Sequence, residues 1–563
     1  MPEWAKDAIW YQVFPERFRN GLRANDPCVE DIADHPIPGW RVKKWGSDWY
    51  ALDPWEAGLG GFRKAVYHRR YGGDLCGLRE KLDYLQDLGI NAIYLNPVFM
   101  APSLHKYDAS CLHHVDPTLG PDRAGDLDLL ARAGETEDPG TWIWTAADRY
   151  LLDLVADIHR RGMRIILDGV FNHVGTRFFA FRDVCRNGRA SRFRRWFRIE
   201  KWHRDGTFEY RGWFGHKTLP ELARSEQDLA LPVKKYLHAI TKRWMDPNAD
   251  GNPSDGVDGW RLDVAFCVPH GFWKGWRKLV KAINPNAFLT AEVVSRADDY
   301  LRGDEFDSVM NYAWLFPVFR FFRPGADAIS ARKLQRELTA LRRAYPGEIN
   351  LVLQNLLDSH DLGRIATALE NRLPAGEKWD SYFALSGVSG NPGLVTTRPR
   401  TDTWNVLKQL VIFQMTYPGA PMIYYGTEVG LWGANDPDNR QPMLWADILF
   451  EPESHMPHGV GRLTKREPDR ALFEFFRKAI RLRRENEVLR RGVFRWMQTG
   501  NDRLLGFRRT QDRAEILALF NASDEKATFR LDRGMRDLWN NRRIPRGRIG
   551  LRERGWLLLV REA

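Results

Sequence analysis

The chain reads as an α/β protein built on a (β/α)8 TIM barrel. A small domain is inserted after the third strand, and an antiparallel β domain follows at the C-terminus. Three observations predict this. Eight short apolar runs recur between residues 9 and 428, amphipathic helical stretches separate them, and from about residue 495 the pattern switches to short alternating strands. Strand alternating with helix specifies a parallel sheet, and eight such units form a closed barrel. The expected division is 1–173 for the first part of the barrel, 174–231 for the insert, 232–494 for the rest of the barrel and 495–563 for a C-terminal β-sandwich domain.

The candidate strands are, in order, "IWYQVFP" near 9–15, "NAIYLNPV" at 91–98, "RIILDGVF" at 164–171, "VDGWRLDVA" at 257–265, "AFLTAEVV" at 287–294, "DSVMNY" at 307–312, "LVLQNLLDSHD" at 351–361 and "PMIYYGTE" at 421–428. Helix-like stretches such as "LREKLDYLQDLG" (78–89) and "YLLDLVADIHRRG" (150–162) close on glycine, the residue that tolerates the left-handed conformation ending a helix. After strand three, roughly 50 to 60 residues rich in Arg, Trp and Phe precede the helical stretch at 232–245, too many for an ordinary connection. That length predicts the insert. Beyond the helical stretch 470–486, "RLLGFRR", "EILALFN", "ATFRL" and "GWLLLVRE" predict the antiparallel domain.

Composition excludes several classes. With 563 residues, 43% of them hydrophobic and 28% charged, the chain has the make-up of a soluble globular protein of more than one domain. No apolar run reaches the 18 residues of a membrane span, and the start lacks a charged-then-apolar leader, which predicts a cytoplasmic chain unless a leader was removed. The net charge of +12 raises the question of nucleic acid, but the arginines are spread along the whole chain, so no nucleic-acid partner is expected. Five scattered cysteines (Cys28, Cys76, Cys111, Cys185, Cys267) include no CxxC pair, arguing against a zinc site or a disulfide framework.

In a barrel of this kind chemistry sits at the C-terminal ends of the strands, and polar residues collect there. Strand three ends in Asp168, Asn172 and His173. Strand four carries Arg261 and Asp263, two positions apart and so on one face. Glu292 ends strand five, and His360 and Asp361 end strand seven. His105, Tyr107 and Asp108 follow strand two. Like charges repel when buried, and a core selected for stability would not gather carboxylates this way. Carboxylates without a Cys/His metal set suggest glycosidic-bond chemistry, in which one ionised carboxylate attacks and one protonated carboxyl assists departure. No cofactor is required for that.

These residues resemble the conserved regions of the α-amylase family of glycoside hydrolases (family 13), most closely its neopullulanase/cyclomaltodextrinase-like branch. The matching stretches are "DGVFNH" (168–173), "GWRLDVAF" (259–266), "AEVV" (291–294) and "LLDSHD" (356–361), with "HKYD" (105–108), "YPGAPMIYYGTEVG" (417–430) and "DPDNRQPMLW" (436–445) in support. The resemblance implies that Asp263 is the nucleophile, Glu292 the general acid/base and Asp361 the residue that stabilises the transition state through sugar hydroxyls. It also implies that Arg261 holds Asp263 ionised, that His173 and His360 hydrogen-bond the sugar, that Tyr107 stacks beneath it and that Asp108 anchors Arg261. The branch's fifth region appears as "LPELA" (219–223), with Ala223 where asparagine is usual.

The implied partner is an α-glucan or maltooligosaccharide substrate, with no membrane partner; the sequence leaves monomer and homodimer both open. Three functions follow in order: a hydrolase of α-1,4 (and α-1,6) glucans, a transferase using the same residues, and an inactive carbohydrate-binding homologue, against which the intact Asp263, Glu292 and Asp361 argue. Trp40, Trp45, Trp49 and Trp55, after strand one, are candidates either for the cleft wall or for the core. Upstream of strand four, Asp246, Asn248, Asp250, Asn252 and Asp255 alternate around Gly251 like the start of an EF-hand loop, which predicts a structural Ca2+; Val257 stands where the bidentate glutamate would be.

Overall fold

The computed structural model describes residues 1–325, 328–373, 379–454 and 463–561. All eight expected barrel strands form: β1 (Trp10–Val13), β2 (Ala92–Leu95), β3 (Arg164–Gly169), β4 (Gly259–Leu262), β5 (Phe288–Ala291), β6 (Ser308–Val309), β7 (Gln354–Leu356) and β8 (Ala420–Tyr424). They pair in parallel in the order β6-β5-β4-β3-β2-β1-β8-β7. A parallel bridge between Met310 and Gln354 joins the two ends, so the sheet is very nearly closed. The strands are short because both faces are covered: nearly every strand residue is buried, and only Arg164 at the start of β3 reaches solvent.

The helices carry their own start and stop signals. The helix Ala146–Arg160 opens on a capping box, in which the Thr145 side chain accepts from the Asp148 amide while Asp148 reaches back to the Thr145 amide. Leu82–Leu88 ends on Gly89, whose φ of +98° only glycine adopts without strain. The barrel and its surrounding helices share one continuous apolar core.

Between β3 and the helix Leu231–Met245 lie the helix Phe179–Asn187 and a hairpin of Ile199–Trp202 with Phe208–Tyr210. This segment is tied to the barrel mouth through the bridge from His173 to Glu221, and a bridge from Phe197 to Leu222 closes it on itself. Beyond the helix Arg470–Glu485 the chain forms β9 (Val493–Met497), β10 (Leu504–Gln511), β11 (Ala514–Asn521), β12 (Ala527–Leu531), β13 (Met535–Asp537), β14 (Arg542–Ile544), β15 (Gly547–Leu551) and β16 (Trp556–Arg561). Six of these make an antiparallel sheet in the order β9-β10-β11-β16-β13-β14, and β12 pairs with β15. A separate apolar cluster, including Leu504, Leu517, Ile549 and Leu559, lies between these sheets. No helix among the described residues is long and apolar enough to cross a membrane.

The Trp-rich stretch after β1 belongs to the core rather than to the cleft wall. Trp45, Trp49 and Trp55 are buried. The Trp45 indole N–H donates to the Met443 carbonyl at 3.0 Å and that of Trp49 to Asp438 at 2.8 Å, while Trp40 donates to the His68 carbonyl at 2.9 Å.

Candidate active site

Strand register builds the site. β3 and β4 pair Asp168 with Arg261, and β4 and β5 pair Arg261 with Thr290, so the three side chains share one level of the barrel interior. One step further the strands end. The Asp263 amide donates to the Gly169 carbonyl at 3.1 Å and the Glu292 amide to the Leu262 carbonyl at 2.9 Å. Both catalytic candidates are thereby fixed at the barrel's mouth by the last backbone bonds of the sheet.

Arg261 is the hub. Fully buried, it donates through Nη1 to Asp168 Oδ1 at 2.8 Å and to Asp263 Oδ1 at 3.0 Å. Its Nη2 lies 2.9 Å from Glu292 Oε1, an ion pair in which the N–H is not aimed at the oxygen. Glu292 Oε2 accepts the Val264 amide at 2.8 Å. That amide is aimed by an unusual backbone: Val264 adopts φ +38° and ψ +47°, left-handed geometry that a β-branched residue enters only under strain. Strain at this point turns the chain off β4 directly after Asp263.

The neighbours complete a hydrogen-bonded ring. The Tyr107 hydroxyl donates to Asp168 Oδ2 at 2.8 Å and lies 2.7 Å from His360 Nε2. The Gln12 amide donates to His360 Nδ1 at 2.7 Å, which leaves the ring proton on Nε2, directed at Tyr107. Burial, with Arg261 and Arg440 nearby, pushes the His360 pKa well down, so the ring is neutral. Burial likewise pushes His173 down to about 3. Its Nδ1 is 3.0 Å from the Asn172 amide nitrogen, Trp213 stacks on its ring at 5.2 Å, and its buried Nε2 has no hydrogen-bond partner. Asp361 pairs with Arg440 Nη2 at 3.5 Å and lies 3.2 Å from Nε2 of the neutral His360.

The charge balance is lopsided. Asp168, Asp263, Glu292 and Asp361 surround a single fully enclosed guanidinium, with Arg440 at the edge. Burial raises the Asp263 pKa well above the usual carboxylate range, against the pull of Arg261 and helped by the other carboxylates. Burial and Glu292 together lift Asp361 to about 8. Burial thus favours the protonated form of both Asp263 and Asp361.

Residues 12–136 and 147–492 match the family described as alpha amylase, catalytic domain. The chain belongs to the α-amylase family. It is a glycoside hydrolase, as are the relatives it resembles. Neopullulanase 2 of Thermoactinomyces vulgaris is 36% identical over 534 residues, covering 94% of this chain and 72% of that protein. A cyclomaltodextrinase of Thermoanaerobacter pseudethanolicus is 32% identical, covering 97% of this chain and 75% of its own length. Among solved structures, the type III pullulan hydrolase from Thermococcus kodakarensis superposes with a TM-score of 0.75 at 27% identity, over 99% of this chain and 82% of that one.

Within this α-amylase-family site one expectation needs correction. Asp108 does not hold Arg261; the Ser103 hydroxyl donates to Asp108 instead. The anchor is Asp168, aided by Tyr107, because strand pairing sets Asp168 beside Arg261 whereas Asp108 lies in a loop. The structure brings Asp263, Glu292, Asp361, Arg261, His360 and Tyr107 together. It also adds Gln12, Trp213 and Arg440, which single-residue reading passes over. Arg440 had one signal, its place in the quoted stretch 436–445. Its Nε donates to the His360 carbonyl at 3.0 Å and its Nη1 pairs with Asp436 at 3.1 Å.

The oxygen-rich loop 246–255 lies apart, before β4. Several of its side chains bond the loop's own backbone: Asn248 accepts from the Asp250 amide at 3.0 Å, Asp250 from the Asn252 amide at 2.7 Å and Asn252 from the Ser254 amide at 3.2 Å. Asp246 Oδ1 and Asp255 Oδ1 are buried oxygens without hydrogen-bond partners, which fits a hard cation on those two carboxylates better than on the full set of five.

Proposed function

We propose that the chain is a retaining hydrolase of α-1,4- or α-1,6-linked glucans, maltooligosaccharides or cyclodextrins, working through a covalent glycosyl-enzyme. The observation that carries this is the Arg261 guanidinium shared by Asp263 and Glu292 at one barrel mouth. Asp263, held by Nη1, attacks the anomeric carbon, and the C–O bond to the leaving sugar breaks as Glu292 gives that oxygen its proton. The glycosyl–Asp263 ester is then opened by water, whose proton returns to Glu292. Asp361 and the open Nε2 of His173 bind hydroxyls of the reacting sugar, and neutral His360 and Tyr107 hold the ring of partners in place. The names of the relatives support the substrate class.

The test is a panel of starch, pullulan, cyclodextrin and maltoheptaose, with products separated by chromatography and the first-formed anomer followed by proton NMR. α-Configured products shorter than the substrate are the expected result. A first-formed β-anomer refutes retention, and products longer than maltoheptaose as the main outcome make the chain a transferase instead. We further propose a structural Ca2+ in the 246–255 loop, supported by the inward oxygens of Asp246 and Asp255. Added Ca2+ should raise the melting temperature and a chelator should lower it; indifference to both refutes the site.

A further inference from the structure

A second convergence of ligating atoms lies away from the catalytic carboxylates. His113 and His114 are 4% and 1% exposed. Together with Glu135 they present one ligating atom each, all within 4.8 Å of one another. Every other polar atom of the three side chains is already held. His114 Nδ1 is 2.7 Å from Asp148 Oδ2. His113 Nδ1 is 2.8 Å from the Tyr236 hydroxyl. Glu135 Oε1 accepts the Ile143 amide at 2.7 Å. What remains free to converge is His113 Nε2, His114 Nε2 and Glu135 Oε2. The oxygen is 2.8 Å from His114 Nε2 and 3.5 Å from His113 Nε2, and His113 Nε2 is buried without a hydrogen bond.

We propose that His113, His114 and Glu135 bind a divalent transition metal, Zn2+ above all. Two imidazoles and one carboxylate suit a borderline ion and exclude the oxygen-seeking Ca2+ and Mg2+. Ligands about 2.0–2.2 Å from a tetrahedral zinc stand roughly 3.3–3.5 Å apart; His113 Nε2 and Glu135 Oε2 already stand at 3.5 Å, and Glu135 Oε2 would move off His114 Nε2, now 2.8 Å away, to admit the ion. The carboxylate of Asp148 behind His114 is the outer partner that fixes a ligating imidazole's tautomer, and Tyr236 does the same for His113. Metal binding displaces the proton shared by His114 and Glu135, with water completing the fourth position.

The ion would pin two stretches that no regular element joins. One is the segment 111–115, just after the Tyr107–Asp108 loop. The other is residues 134–145, between the helices Arg123–Ala133 and Ala146–Arg160. The site is thus structural, and it does not depend on the proposed glucan chemistry.

The experiment uses the full chain, stripped with chelator and saturated with Ca2+ so that the oxygen-rich loop does not contribute. Zn2+ is titrated by calorimetry, and Co2+ by its visible spectrum. One equivalent per chain is expected, with tetrahedral nitrogen/oxygen Co2+ bands and no thiolate charge transfer. His113→Gln and Glu135→Gln each lose at least about 100-fold in Zn2+ affinity, and Tyr236→Phe loses about 10-fold. Should either ligand variant fail to fold, Tyr236→Phe and the Co2+ spectrum of the unaltered chain decide. An unaltered chain that binds neither metal, or folded ligand variants that bind as tightly as it does, overturn the proposal and leave the three side chains as an ordinary ion-pair network.

Discussion

Two fully enclosed guanidinium groups sit in opposite kinds of surroundings. Arg69, in the stretch after β1, pairs with Glu56, which also takes Lys43 at 3.0 Å and the Asp53 amide at 2.7 Å. Its Nη2 reaches the Ala51 carbonyl at 2.8 Å. There two carboxylates, Glu56 and Asp53, meet two cations, Arg69 and Lys43, and the group is satisfied by backbone as well. Arg261 instead faces Asp168, Asp263 and Glu292, and its cluster pushes carboxyl pKa values upward. A buried ion pair kept for structure is balanced; one kept for chemistry holds an excess of one sign, with stability as the cost.

Four changes test that difference. The largest effect belongs to Asp263→Asn, which should lower kcat by roughly 10^4-fold or more while the melting temperature holds or rises, since an excess carboxylate is removed. Near-normal turnover would show that the lopsided cluster is not the reaction centre. Arg69→Met should cost about 3–5 kcal/mol of stability, because Glu56 is left buried with a single cation; chemical denaturation measures it, and kcat per folded molecule should be unchanged.

Glu292→Gln should reduce turnover of oligosaccharides by roughly 10^2–10^4-fold and that of an aryl glycoside with an acidic leaving group far less, because such a group departs without a proton. Equal losses on both substrates would remove Glu292 from the acid role. The smallest effect on stability is expected of Asp361→Asn, whose turnover should fall because the carboxylate that binds the reacting sugar is lost. The native state raises this carboxyl from 3.8 to about 8, so it holds its proton more tightly than the unfolded chain does. Its contribution to stability is therefore present below about pH 4 and is lost as pH climbs through 8. The asparagine variant escapes that loss, and its melting temperature should exceed that of the parent by a margin growing to roughly 1–3 °C between pH 5 and 8. A margin that shrinks over that range would reverse the assignment.

The barrel was legible because each strand is a short apolar run bounded by helical stretches; β1 to β7 fall within the expected runs, and β8 starts one residue before its own. Acidic residues near the strand ends were legible for a similar reason, whereas the choice of Asp263, Glu292 and Asp361 among them came from the resemblance to the α-amylase family. Other parts resisted. Asp108 and Asp168 are both acidic and both near a strand end, and only register shows which of them meets Arg261. The tryptophans at 45, 49 and 55 carry no periodic pattern that separates a core from a cleft wall, and their burial depends on partners such as Asp438 and Met443, almost 400 residues away in the chain. The scattered cysteines argued against a zinc site, yet His113 and His114 meet Glu135 across an intervening helix.

By itself, then, the sequence determined the alternation of elements, the end of the barrel at which polar residues collect and the acidic residues that stand there. All of these follow from local periodicity, which acts over a few residues. Tertiary structure alone decided which buried acid neutralises Arg261, which arginine flanks Asp361 and which histidines converge with Glu135. Those outcomes rest on distances between segments far apart in the chain, where electrostatics in a poorly solvated interior depends on ångström-scale placement that no spacing along the sequence encodes.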